Sequence, residues 1–183
     1  MPRTDEKGHL DLLVKQYPKG KQSTYLHALK PGDSLTFLRI PGYGWKPDEQ
    51  SHVALVAGGQ GITPCYQLAR GILKNPNDKT RVTLVWGVNT DEDVVLRGEF
   101  SLLERQHPGR FKAVYTVANP KEGSRFTKGF VTKELLEANG VVPGESGVGK
   151  VFVCGPPPME KALVGGAGLL TQMGFSKSQV HKF

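Results

Sequence analysis

Two short stretches of this chain hold residues whose types and spacing could do chemistry. The first is Gly58-Gly59-Gln60-Gly61-Ile62-Thr63-Pro64, where three glycines in four positions follow the apolar run Val53 to Ala57. Glycine takes positive φ and lets a ligand approach the main chain. A helix opening there, with Pro64 in a first turn that needs no donor from it, aims free N–H groups and a positive dipole end at the turn. That suits the pyrophosphate of a dinucleotide. The same turn would also serve plain close packing of helix on strand, and the stretch alone leaves both readings open.

The second stretch is Val153 to Met159, VCGPPPM, in which a strand ends in a thiol and a glycine and three prolines stiffen the approach to a helix. Beside the first turn it would form a flat, pre-formed apolar wall for a nicotinamide ring, with the small side chain of Cys154 at the level of hydride transfer. Taken alone it reads equally as a rigid turn with an inert buried cysteine. A third candidate fails. Gly144 to Lys150 spells G-x-x-x-x-G-K, but Val151 replaces the hydroxyl that a triphosphate loop needs, and the loop precedes its strand.

Both stretches must be positioned by a sheet. From His52 onward, strand and helix patterns alternate: 53–57 and a helix after Pro64, strand 81–88, helix 91–106, strand 110–117, helix 130–140 stopped by Gly140, strand 150–155, helix 156–174, and an edge segment SQVHKF. Such alternation predicts an α/β fold with a doubly wound parallel sheet and a ligand crevice at the strands' carboxyl ends. Gly165, Gly166 and Gly168 predict a soft last helix. Before His52 the grammar differs. HLDLLVKQY (9–17) alternates as a half-buried strand, Ser23 or Thr24 could cap the short segment YLHALK, SLTFLRI (34–40) is a further strand, and PGYGWKPDEQ (41–50) reads as a connection. The expected domains are therefore 1–50 and 51–183.

Composition narrows the function classes. The 24 basic residues outnumber 17 acidic ones, giving a formal charge of +7, but they are scattered without an aromatic ladder, so nucleic-acid binding is not expected. No run approaches the roughly 18 apolar residues of a membrane span, so any membrane attachment would come from a segment absent from this chain. Cys65 and Cys154 match no metal spacing, and no metal site is expected.

GGQGITP followed about 90 residues later by CGPPPM resembles the nicotinamide-binding domain of the ferredoxin reductase superfamily, most closely the NADH-cytochrome b5 reductase type. WGVNTDEDVVLRGEF, KGFV and the terminal Phe183 fall where such reductases have similar stretches. LLVKQY and GKQST are similar to the last flavin-contacting parts of the FAD domain. The linker PGYGWKP and GKQST also resemble fungal mitochondrial members of the cytochrome c import factor type, which implies a mitochondrial location.

The resemblance implies two cofactors, FAD and NAD(P)H. Lys21, Gln22 and Ser23 would hold the FAD pyrophosphate, with Leu13, Lys15 and Tyr17 beside the flavin or the incoming nucleotide. Gly59, Gly61, Thr63 and Pro64 would contact the nicotinamide dinucleotide. Cys154, Gly155, Pro156 and Met159 would shape its pocket, with Phe183 at its end. Hydride would pass from NAD(P)H to flavin and single electrons to a haem protein such as a cytochrome. The protein positions and tunes while the flavin does the chemistry.

Three departures qualify that transfer. The flavin-gripping Arg-x-Tyr-Ser/Thr motif has no match, Arg3 alone being left of it, and only about 50 residues precede the nicotinamide domain, against the larger length that a six-stranded barrel requires. The chain therefore reads as a fragment carrying a few antiparallel strands of an incomplete FAD barrel, expected to bind FAD weakly or not at all and to be inactive alone. Gln60 stands where the family has Thr or Ser beside the reacting ring and, with Cys154, flanks the hydride path. After the third strand, Ala118 or Asn119 replaces the acid of NADH-preferring members, and Arg125 and Lys128 lie nearby, which opens the site to NADPH. The alternative function is a non-catalytic nucleotide-binding or cytochrome-assembly module that keeps the fold.

Overall fold

The computed structural model describes residues 8, 11–38 and 43–183. The chain separates into two compact units, 1–44 and 45–183.

In the first unit the described residues form one helix, α1 (Lys21–Ala28), between segments that form neither helix nor strand. The strands expected at 9–17 and 34–40 are not formed in their described parts, 11–17 and 34–38; residues 9, 10, 39 and 40 lie outside the described residues. Alternation specifies which face of a strand would be buried, but a strand exists only by pairing its backbone groups with a neighbour. No such neighbour is present among the described residues, and Leu13 and Phe37 are accordingly 42% and 61% exposed. The helix also begins four residues earlier than the segment YLHALK. Gly20 is its N-cap, so Ser23 lies within the first turn and neither it nor Thr24 is the cap. The Ser23 hydroxyl instead donates to the Gly20 carbonyl (3.2 Å) and accepts from the Tyr17 N–H (3.1 Å).

The second unit is a six-stranded, wholly parallel sheet. Its elements are β1 (His52–Gly58), α2 (Ile62–Lys74), β2 (Arg81–Val88), α3 (Arg97–Gln106), β3 (Phe111–Val117), β4 (Thr127–Lys128), α4 (Lys133–Ala138), β5 (Lys150–Cys154), α5 (Pro157–Val164), α6 (Leu169–Gln172) and β6 (Val180–Lys182). The strand order is β4-β3-β2-β1-β5-β6. The chain thus runs outward from β1 on one side, returns at β5 and finishes on the other side. Beside β1 and β5 lies the point where an open α/β sheet offers a crevice at its carboxyl ends.

Burial explains the pattern. Every residue of β1 is buried, as in a strand covered on both faces. Ala54, Val56, Val85, Val151 and Val153 pack with Leu136 of α4, Leu163 of α5 and Leu170 of α6. The opposite face carries Trp86, against Phe100 of α3 (centroids 6.1 Å apart), and Phe152. Helix α2 buries Ile62, Cys65, Ala69, Ile72 and Leu73, a stripe at the helical period.

The helices depart from expectation in three places. Residues 91–106 split into a single 3-10 turn, Asp91–Asp93, and α3. The Asp93 carboxylate accepts from the Thr90 N–H and hydroxyl (3.2 Å each), closing a capping box on that turn, and Leu96 at φ +58° redirects the chain. The helix expected from 130 starts only after Thr132, whose hydroxyl accepts from Leu135 N–H; Gly140 (φ +76°) ends it as predicted. The last helix is broken into α5 and α6. Gly165 and Gly168 are extended, and a Cβ at Gly168 would meet the Leu163 carbonyl oxygen at 2.6 Å.

Residues 45–50 fasten to the loop before β2. Trp45 Nε1 donates to Asp78 Oδ2 (2.7 Å), Lys79 N to Asp48 Oδ1 (2.6 Å) and Thr80 Oγ1 to the Gln50 carbonyl (2.7 Å).

Candidate functional site

The two glycine stretches meet. Ala57 of β1 is in register with Cys154 of β5, so both strands end at one level. Gly59–Gly61 form a 3-10 turn leading directly into α2. A Cβ on Gly61 would overlap the Cys154 carbonyl, with Gly155 N 2.9 Å away. A Cβ on Gly58 would overlap the Met159 sulfur and stand 2.9 Å from Pro156 Cδ; one on Gly155 would stand 2.9 Å from that sulfur and 3.2 Å from Gly58 Cα. These two main chains therefore approach as closely as backbones without side chains allow, with Met159 tucked against both. Gly59, at φ +50°, has open space where a Cβ would be. Thr63 Oγ1 donates to the Gln60 carbonyl (3.1 Å), and Pro64 occupies the first turn of α2.

The structure thus gathers Gly59, Gln60, Gly61, Thr63, Pro64, Cys154, Gly155, Pro156 and Met159 at the switch point between β1 and β5. Bare main-chain glycines, the first-turn amides of a 13-residue helix and a thioether wall fit a flat ring joined to a diphosphate. Burial, with the Glu160 charge adding to it, pushes the Cys154 thiol up, and burial pushes Cys65 up further. Both stay neutral at physiological pH, small apolar linings and not nucleophiles.

Phe183 lies beside the site and not in its turns. Its N–H donates to the Val153 carbonyl (3.1 Å), while its ring stacks on Phe152 (centroids 5.8 Å) and edges onto His181 (5.3 Å). In the first unit, Lys15, Tyr17, Lys21 and Gln22 are exposed. The Ser23 hydroxyl is committed to Gly20 and Tyr17, which leaves the exposed Lys21 and Gln22 side chains and the first-turn N–H groups of α1 as donors available to an anion there. Gly144 to Lys150 sits at the amino end of β5, away from the crevice, with Val148 N bonded to the Val142 carbonyl (2.8 Å).

Two features were not legible from the residues alone. Trp86 Nε1 donates to the Gly59 carbonyl (3.0 Å), reaching the turn from the neighbouring strand. Beyond β3, the connection to β4 is clamped by Asp91, which accepts from Ser124 Oγ (2.6 Å) and Lys121 N (2.9 Å); these hydrogen bonds hold its carboxyl below the usual range. Glu92 pairs with Lys121. Asn119, Arg125 and Lys128 are exposed on this connection, and Phe126 lies between Tyr115 (5.7 Å) and the Arg97 guanidinium (5.7 Å). Among the described residues no group of side chains is arranged to hold a metal ion, and no helix is long and apolar enough to cross a membrane.

Residues 55–164 match the family described as the oxidoreductase NAD-binding domain, and residues 1–41 match the oxidoreductase FAD-binding domain. The chain is 46% identical to NADH-cytochrome b5 reductase 2 of Phaeosphaeria nodorum over 98% of its length, and 48% identical to that of Botryotinia fuckeliana over all of it. It spans 56% of the length of each. Among solved structures it superposes on the cytochrome b5 reductase domain of Ulva prolifera nitrate reductase with a TM-score of 0.80 and 33% identity, covering 93% of this chain and 70% of that one.

Proposed function

Because this chain belongs to the oxidoreductase NAD-binding domain family, in its cytochrome b5 reductase branch, we propose that it is the nicotinamide-nucleotide-binding part of a flavin-dependent reductase. In the whole protein a hydride from NAD(P)H reaches FAD, and single electrons then pass to a haem protein, a cytochrome. The observation that carries this reading is the meeting of Gly61 and Cys154: two motifs 93 positions apart close on one another at the switch point of the sheet.

The division of labour follows from the residues. The Gly59–Gly61 turn and the start of α2 hold the diphosphate, and Cys154, Gly155, Pro156 and Met159 form the wall for the ring. Lys21, Gln22 and Ser23, on the part matching the FAD-binding family, contribute to the flavin side. The flavin, when bound, accepts the hydride and divides it into single electrons; the groups of this chain bind, orient and exclude water. The resemblance to fungal mitochondrial reductases supports a mitochondrial location.

One observation favours the second reading, a nucleotide-binding or assembly module without catalysis. Gln60 stands in the Gly59–Gly61 turn, where the resemblance to the reductases implies a small hydroxyl. Ferricyanide reduction by the full-length protein, given NADH or NADPH, separates the two: turnover well above that of free flavin supports the reductase, and turnover equal to free flavin supports the module.

A further inference from the structure

The nucleotide turn must keep one shape, and a buried side chain from the next strand holds it. We infer that Trp86 is a positioning residue for the dinucleotide turn, an inference that rests on the nucleotide reading above. Trp86 is 1% exposed and stands in β2 in register with Ala57, two residues before the turn. Its indole N–H donates to the Gly59 carbonyl at 3.0 Å, and the Ile62 N–H reaches the same oxygen. Both lone pairs of that carbonyl are thereby used. The ring is wedged between Phe100 (6.1 Å, 68° between planes) and Tyr115 (6.3 Å, 56°), so the donor is held in place.

The consequence follows from peptide geometry. The described residues contain no cis peptide bond, so the Gln60 N–H lies across a planar trans unit from the Gly59 carbonyl and points the opposite way, away from Trp86. Gly59 carries no side chain and nothing lies within 4 Å of the space a Cβ would fill, so packing does not choose the orientation of this peptide. Flipped, it would present a carbonyl oxygen to an anionic diphosphate. Trp86, together with the Ile62 N–H, selects the orientation that presents the donor. Phe or Tyr would fill the same apolar space without placing an N–H there.

Trp86→Phe keeps the packing and removes the donor, and the full chain is titrated calorimetrically with NADH and with AMP, which lacks the diphosphate. The expected result is NADH affinity about fivefold weaker, the worth of one net hydrogen bond, with AMP affinity unchanged. Equal weakening of both ligands indicates general loosening and overturns the proposal, as does unchanged NADH affinity. Absence of NADH binding by the unmodified chain overturns the nucleotide reading itself and the proposal with it. Should the variant fail to fold, the indole N–H resonances of the unmodified chain decide: NADH is expected to shift that of Trp86 and leave that of Trp45 in place. An unshifted Trp86 resonance overturns the proposal.

Discussion

Gly61 abuts the main chain of Cys154 so closely that a single methyl group between them would overlap the Cys154 carbonyl. The contact joins the end of β1 to the end of β5 and forms the floor of the crevice. Gly61→Ala must push the two strand ends apart, and overpacking of this kind costs about 2 kcal/mol. Gly59→Ala meets no atom and bears only the strain of a positive φ, about 1 kcal/mol. Urea denaturation should rank the variants in that order, and NADH affinity should fall in Gly61→Ala.

The two thiols should be unreactive in the native state. Burial raises both, Cys65 more than Cys154, and the thiolate is the reacting species. Iodoacetamide at neutral pH, followed by mass spectrometry, should leave Cys65 unmodified until urea unfolds the chain. The half-buried Cys154 should react slowly, and faster only as the pH rises above the ordinary thiol range.

His52 makes stability depend on pH. It is 6% exposed and shares a hydrogen bond with Thr83 (2.9 Å); burial, assisted by the charge of Arg81, lowers its pKa from 6.5 to about 4. Between those values the unfolded chain binds the proton and the folded chain does not. Stability is therefore full above 6.5 and is lost as the pH falls toward 4, by up to about 3 kcal/mol. His52→Gln should flatten this part of the curve when urea midpoints are compared at pH 7 and pH 4.5.

Asp78 should anchor the start of the second unit. Burial pushes its carboxyl up, but hydrogen bonds from Trp45 and Thr80 outweigh this and hold it below the ordinary value. Its contribution is present above the normal aspartate range and is lost as the pH falls below it. Asp78→Ala should cost about 2 kcal/mol, as expected for hydrogen bonds to a charged group, and should shift Trp45 fluorescence to the red.

Nucleotide preference should be loose. Both carboxylate oxygens of Asp91 are engaged by Ser124 and Lys121, Glu92 is paired with Lys121, and Arg125 stands exposed on the same connection. Calorimetry should place NADPH affinity within about tenfold of NADH affinity, a difference of 1.4 kcal/mol or less. Arg125→Ala should weaken NADPH more than NADH.

Much of this was determined by the sequence alone. A strand buried on both faces must be largely apolar, so 53–57 and 81–88 announce themselves, and a turn that brings main chain to a ligand favours glycine, so Gly59 and Gly61 do too. These are local requirements, written in neighbouring residues. The tertiary structure decided what depends on distant partners. Residues 11–17 alternate like a strand but form none among the described residues, and the two-residue β4 carries no period at all. The glycines at 165 and 168 are spread over a helical pattern but break it, because carbonyls from the preceding turn fill the space beside Gly168. The Trp86 bond to Gly59 spans 27 positions and exists only because β2 lies next to β1. Strand order is a property of the assembled sheet, settled by the packing of all its faces together, and it is what turns two glycine motifs into one site.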